Sequence, residues 1–147
     1  MKHLSKEFWQ NRYETDAIGW DLGEISPPIK KYVDQIENKD LKILIPGCGN
    51  GHEAEYLWRL GFRNVHVIDI AEAPLSNLRT RIPEFPEGQI HLGDFFKHDG
   101  VYDIIVEQTM FCAIDPVLRQ EYADKCHELL DEFGKINTIR IFQIIQQ

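Results

Sequence analysis

The hydrophobic positions of this chain change rhythm near residue 40. Before that point they recur at helical spacing. Ser5 can cap a short helix carrying Phe8, Trp9 and Tyr13, and the turn-rich stretch 19–23 would end it. Ser26 followed by Pro27 is a cap and first-turn signal. Ile29, Tyr32, Val33 and Ile36 then predict a second amphipathic helix ending near Asn38. Past residue 40, short apolar runs alternate with helical stretches. Runs 41–45, 65–70, 89–92 and 102–106 look like buried parallel strands. Helices are predicted over 53–60, 74–81 and 116–130, the last with Leu118, Tyr122, Cys126, Leu129 and Leu130 on its apolar side. The Ile-rich end, KINTIRIFQIIQQ, reads as a fifth strand, whose open edge would be sticky. This order predicts an α/β fold, a doubly wound, mostly parallel sheet with right-handed crossovers. We expect a single domain, 1–147, with a helical segment 1–38 and an α/β core 41–147.

Composition narrows the function classes. A chain of 147 residues fits one domain that buries about two-thirds of its unfolded surface. With 43% apolar and 27% charged residues it is neither disordered nor fibrous. No run approaches the roughly 18 apolar residues of a membrane span. MKHLSKEFWQ lacks the apolar stretch of a secretory signal, so a cytoplasmic setting without a membrane partner is expected. The 16 Lys and Arg against 24 Asp and Glu leave a formal charge of -8, which repels phosphate backbones and disfavours nucleic acid as a partner. Cys48, Cys112 and Cys126 are odd in number and widely spaced, and the six histidines are scattered. Neither set matches a disulfide framework or a paired-ligand zinc site, and no metal is expected.

The segment ILIPGCGNGHEAEYL places Gly47, Gly49 and Gly51 directly after a predicted strand and before a predicted helix. Glycines there let the backbone turn sharply and admit a ligand that a Cβ would block, beside the free amides of a helix N-terminus. A dinucleotide loop of the G-x-G-x-x-G type would want glycine at position 52, where His52 stands, and this argues against a nicotinamide-dependent oxidoreductase. Asp69 ends the second predicted strand, where a carboxylate can accept both hydroxyls of a ribose. Asp94, just past the third, is placed to accept from an adenine amino group, with Phe95 beside it to cover the ring. Taken singly, each has a plainer explanation: Asp69 as a helix cap, Asp94 as a turn residue, Phe95 as core, Trp9 and Trp20 as packing. Their joint spacing around one crevice favours binding.

With these pieces in hand, the chain resembles the thiopurine S-methyltransferase family, in its halide and thiol methyltransferase branch. The resemblance covers residues 7 to about 136 and rests on FWQNRY with GWDLG, IPGCGNGHEAEYL, VIDIAEAPL, GDFF and EQTMFCAIDPVLRQEY. It implies a Rossmann-like fold that binds S-adenosyl-L-methionine, with 1–38 as a lid. It further implies that Trp9, Tyr13 and Trp20 cover the cofactor, and that Gly47, Asp69, Asp94, Phe95 and Gln108 line its site. Tyr13 stands where relatives carry a second tryptophan or another aromatic residue, and Gln108 replaces larger or charged ones. Ile45 and Pro46 stand where most methyltransferases of this fold carry an acidic residue two positions before the first glycine, a departure itself typical of the family. The implied reaction is in-line displacement by a small soft nucleophile, a thiol, thiopurine or halide, with no general acid or base named. The resemblance fades after Gly134, which reads as a truncated or frame-shifted end lacking the final antiparallel strands. The alternative is a cofactor-binding domain without turnover because of that truncation, and the exposed edge strand makes a homodimer plausible. Methylation of nucleic-acid amines is disfavoured, because EQTM stands where such enzymes carry an Asn/Asp-Pro-Pro-aromatic motif.

Overall fold

A computed structural model describes residues 5–15, 23–107, 110, 114–130 and 141–143. Its elements follow in the order α1 (Lys6–Glu14), α2 (Pro27–Val33), β1 (Ile43–Pro46), α3 (His52–Arg59), β2 (Val65–Asp69), α4 (Glu72–Arg81), β3 (Ile90–Leu92), β4 (Ile104–Glu107), α5 (Arg119–Leu129) and β5 (Ile141–Gln143). Short 3-10 turns precede and follow β3 and precede α5.

The predicted elements form, with local differences. Ser5 caps α1 as expected, its hydroxyl accepting from Phe8 N at 3.2 Å. Ser26 adopts the cap conformation, but its hydroxyl is 3% exposed and makes no cap bond. Pro27 and Pro28 occupy the first helical positions and have no N–H to offer it. Helix α2 stops at Val33, short of the expected Asn38. The bonds Gln35 N to Tyr32 O and Ile36 N to Val33 O tighten the chain into turns that still bring Ile36 against the core. Tyr102 does not start β4; it forms an isolated parallel bridge to Leu130. Of the predicted fifth strand, residues 141–143 are described, and they pair parallel to β4.

Among the described residues every strand pairing is parallel, and the strand order is β3-β2-β1-β4-β5. The chain therefore winds outward from β1 in one direction through β2 and β3, then returns to start again at β4. Helices α3 and α4, on the first path, pack with α2 on one face, where Ile29, Val33, Ala54, Leu57, Leu75 and Leu78 meet Ile43, Ile45, Val65 and Val67. Helix α5, on the return path, covers the other face through Tyr122, Cys126 and Leu129 against Leu44, Ile68 and Ile105. Opposite directions with helices on opposite faces are what a single crossover hand requires. Strands covered on both sides are buried along their length, which is why β1 reads as an unbroken apolar run and β4 as one up to Glu107. The reversal between β1 and β4 opens a crevice beyond their carboxyl ends, the usual ligand position in an open α/β sheet.

Candidate cofactor and methyl-transfer site

The loop after β1 crosses this crevice. Gly47, Gly49 and Gly51 all hold positive φ, +58°, +56° and +76°, a region in which a side chain is strained. Each glycine is also crowded by a neighbour from another part of the chain. A Cβ on Gly49 would stand 2.6 Å from the Tyr13 hydroxyl, one on Gly47 3.1 Å from Met110 Cβ, and one on Gly51 3.0 Å from Leu78. The loop is stitched to the end of β2 by Gly47 N and Cys48 N, which both donate to Ile68 O, at 2.8 and 3.3 Å.

Asp69 is the centre of this arrangement. It is 8% exposed; one carboxylate oxygen accepts from Gly49 N at 3.0 Å, the other from Ala71 N at 2.9 Å. Burial pushes its carboxyl above the ordinary aspartate value, and the amides of Ala71, Gly49 and Ile70 oppose that shift. The Asp69 carbonyl in turn accepts from Gly93 N at 2.9 Å, which draws the end of β3 alongside. Asp94 follows. Its carboxylate turns onto its own 3-10 turn and accepts from Phe96 N at 2.9 Å, so the turn role and the strand-end position coincide. Phe95, expected to cover a bound ring, is 4% exposed, and its ring lies in the α5-side core 5.3 Å from Tyr122. Phe96 is the half-buried member of the pair. Two adjacent side chains on a tight turn cannot both face inward, and the larger apolar gain goes to the ring over Tyr122.

Helix α1 is brought over the loop. Tyr13 reaches Gly49, α1 packs on α4, and Gln10 Oε1 accepts from Ala73 N at 2.9 Å in the first turn of α4. Trp9, on the same helix, is half-buried and meets Phe8 edge-on at 5.1 Å. Trp20 and Gln108 lie outside the described residues.

Several residues at the crevice carry no obvious signal in the sequence. Arg81 bonds Asn50 O and Glu55, and Asn77 bonds Asn50 at 2.8 Å, fixing the outer turn of the loop against α4. Cys48 is buried behind the loop, and burial together with Asp69 and Glu53 raises its thiol well above the usual range, so it stays protonated. Glu107 and Met110 flank the loop from the β4 side. A charge closing the apolar run IIVE was the one hint of Glu107.

A buried carboxylate at a strand end, beside three glycines that carry no side chain and with Tyr13 against the loop, is suited to accept from the hydroxyls of a nucleoside.

The family described as thiopurine S-methyltransferase matches residues 4–141. Thiocyanate methyltransferase 1 of Arabidopsis thaliana is 29% identical over 145 residues, 94% of this chain and 63% of that protein. Thiopurine S-methyltransferase of Vibrio campbellii is 25% identical over 153 residues, 92% of this chain and 70% of that protein. The chain thus spans 63% of the length of its Arabidopsis relative. Among solved structures, magnesium protoporphyrin IX methyltransferase from Synechocystis PCC 6803 with bound SAM superposes with a TM-score of 0.69 at 14% identity, covering 86% of this chain and 70% of that one. This last likeness shows the fold alone, a Rossmann-like sheet.

Proposed function

The chain belongs to the thiopurine S-methyltransferase family, and we propose that it binds S-adenosylmethionine in the crevice beyond β1, β2 and β4 and transfers its methyl group to a small soft nucleophile. The observation that carries this reading is the Asp69 carboxylate, held at the end of β2 by Gly49 N beneath Tyr13. Asp69 would take the ribose hydroxyls and Asp94 the adenine end. Gly47, Gly49 and Gly51 would let the amino-acid tail approach the backbone, and Phe95 would support that wall from beneath. Trp9, Tyr13 and Trp20 would form the cover, with Gln108 on the β4 side. The cofactor, when bound, supplies an activated methyl group on a sulfonium.

What remains to the protein is alignment and exclusion of water, worth about 7–11 kcal/mol in well-oriented systems. Aromatic faces near the sulfonium would favour its positive charge. No base is needed for a halide, and a thiol with a pKa of about 8.5 is already partly ionised at neutral pH. The relatives are named for thiocyanate, thiols and thiopurine, acceptors that present sulfur. The formal charge of -8 favours such small acceptors over nucleic acid. No helix among the described residues is long and apolar enough to cross a membrane, and a cytoplasmic setting is part of the same proposal.

Calorimetry with S-adenosylmethionine and S-adenosylhomocysteine tests the site. Asp69→Ala should lose most of the affinity; unchanged binding would place the cofactor elsewhere. Because Asp69 also anchors the loop, the melting temperature of the unliganded variant must be followed alongside. Methyl-labelled cofactor with a panel of thiols and iodide tests transfer, and binding without any labelled product would leave a cofactor-binding domain without turnover. A homodimer through β5, the outermost strand on its side among the described residues, is a separate proposal. Sedimentation showing monomer at high concentration removes it.

A further inference from the structure

The crevice has two sides. On the β2 and β3 side stand Asp69 and Asp94, the groups suited to a nucleoside, so the methyl-bearing end of a bound cofactor would point past Gly47 toward β4. The described residue that meets Gly47 from that side is Met110. Measured from the Cβ that Gly47 lacks, Met110 Cβ lies 3.1 Å away, and its Cγ and Sδ both lie at 3.2 Å. Its side chain is half-buried, resting on the α5-side core, and Gly47 itself is exposed. Met110 therefore stands at the mouth of the crevice, over the loop.

Its position is set from below. Glu107 ends β4 only 1% exposed, and one of its carboxylate oxygens accepts from Met110 N at 3.2 Å. Met110 O accepts from Ile114 N at 3.1 Å, a second backbone tie on the same residue. The carboxylate also faces the Tyr122 hydroxyl and Cys126 of α5, two groups whose ionisation is opposed first by burial and then by this carboxylate. A buried carboxylate is costly unless hydrogen bonds hold it, and here one of those bonds is to the backbone that presents Met110.

Resting on the cofactor reading above, we infer that Met110 lines the acceptor side of the site and contributes to its preference for soft nucleophiles, with Glu107 as the positioning residue that holds it there. A thioether is polarizable, apolar and free to rotate about three bonds. Such a wall suits large, weakly hydrated, polarizable acceptors such as thiolate or iodide, and it adapts to their different sizes. A hard oxygen acceptor would gain nothing from it.

The chain has two methionines, so the methyl signals of carbon-13-labelled methionine can be assigned with a single Met110→Leu variant. The Met110 signal should shift on titration with S-adenosylhomocysteine, saturating at the affinity calorimetry gives. It should shift again on adding iodide, and this second shift should require the bound homocysteine compound. A signal that stays put while calorimetry reports binding overturns the inference and leaves the cofactor reading intact. A first shift without the second overturns the acceptor assignment. Absence of binding in calorimetry removes both together. Glu107→Gln keeps an oxygen to accept from Met110 N and should retain both shifts. Glu107→Leu should lose the iodide shift while the heat of cofactor binding persists, and a Leu variant that responds like the parent chain overturns the positioning role. If the Leu variant fails to fold, loss of both shifts in Glu107→Gln despite retained binding refutes backbone acceptance as the link.

Discussion

Replacing Gly49 by alanine tests the whole placement of the N-terminal helix over the loop. Two costs arise, and the structure separates them. The first is local: at φ +56° an L-residue is in the left-handed region, which costs about 1–2 kcal/mol. The second is a collision between the new methyl group and the Tyr13 hydroxyl at 2.6 Å, well inside contact distance, whereas the next atom of that ring, Cζ, is at an ordinary 3.7 Å. Tyr13 is half-buried on α1 and can swing aside. The collision should therefore displace the cover more than it unfolds the domain. Tyr13→Phe deletes the colliding oxygen and keeps the ring. In the double variant the backbone strain remains and the collision is gone. We expect Gly49→Ala alone to lose about 1–2 kcal/mol in urea denaturation, with a further loss of S-adenosylhomocysteine affinity. Adding Tyr13→Phe should recover about fivefold in that affinity, a coupling of about 1 kcal/mol. Additivity within about 0.5 kcal/mol, in both affinity and stability, would show that Tyr13 does not lie over Gly49 in solution.

Other outcomes follow from the packing and the charges. His66 and His91 share a contact of 3.0 Å between ring nitrogens, and His98 lies against His91 and bonds the Tyr102 hydroxyl at 2.8 Å. Burial, then Lys42 and the neighbouring imidazoles, push His66 down to about 4, and burial lowers His91 and His98 as well. The unfolded histidines, with pKa about 6.5, then bind protons that the folded cluster refuses. The urea midpoint should fall as pH drops from about 6.5 toward 4, with no contribution from these groups at higher pH. His66→Gln should flatten that fall, and an unchanged pH slope would refute the assignment. Leu57, fully buried between α3 and the sheet, should cost about 2–5 kcal/mol on truncation to alanine; a change below 1 kcal/mol would mean that face is not tightly packed.

Much of this architecture was written locally. The switch from helical spacing to short apolar runs predicted the order of elements, because amphipathic period depends only on neighbours within a few positions. The glycine loop was legible for the same reason: a strand, a run of residues tolerant of positive φ and a helix start follow one another directly in the chain. Asp69 was legible as the last residue of a strand, and the structure ties it to Gly49.

Other features depended on which strands became neighbours. The order β3-β2-β1-β4-β5 sets β4 beside β1, and only that pairing lays Met110 over Gly47 and gives Glu107 a buried position. The choice between Phe95 and Phe96 for the core was likewise closed to local pattern, since both are equally apolar and adjacent; the position of Tyr122 on α5 decided it. The imidazole cluster assembles from two strands and a loop for the same cause. Spacing along the chain determined which elements form and where the glycine loop falls. Long-range strand pairing and burial decided which side chains face that loop, because contact free energy depends on neighbours that only the folded sheet supplies.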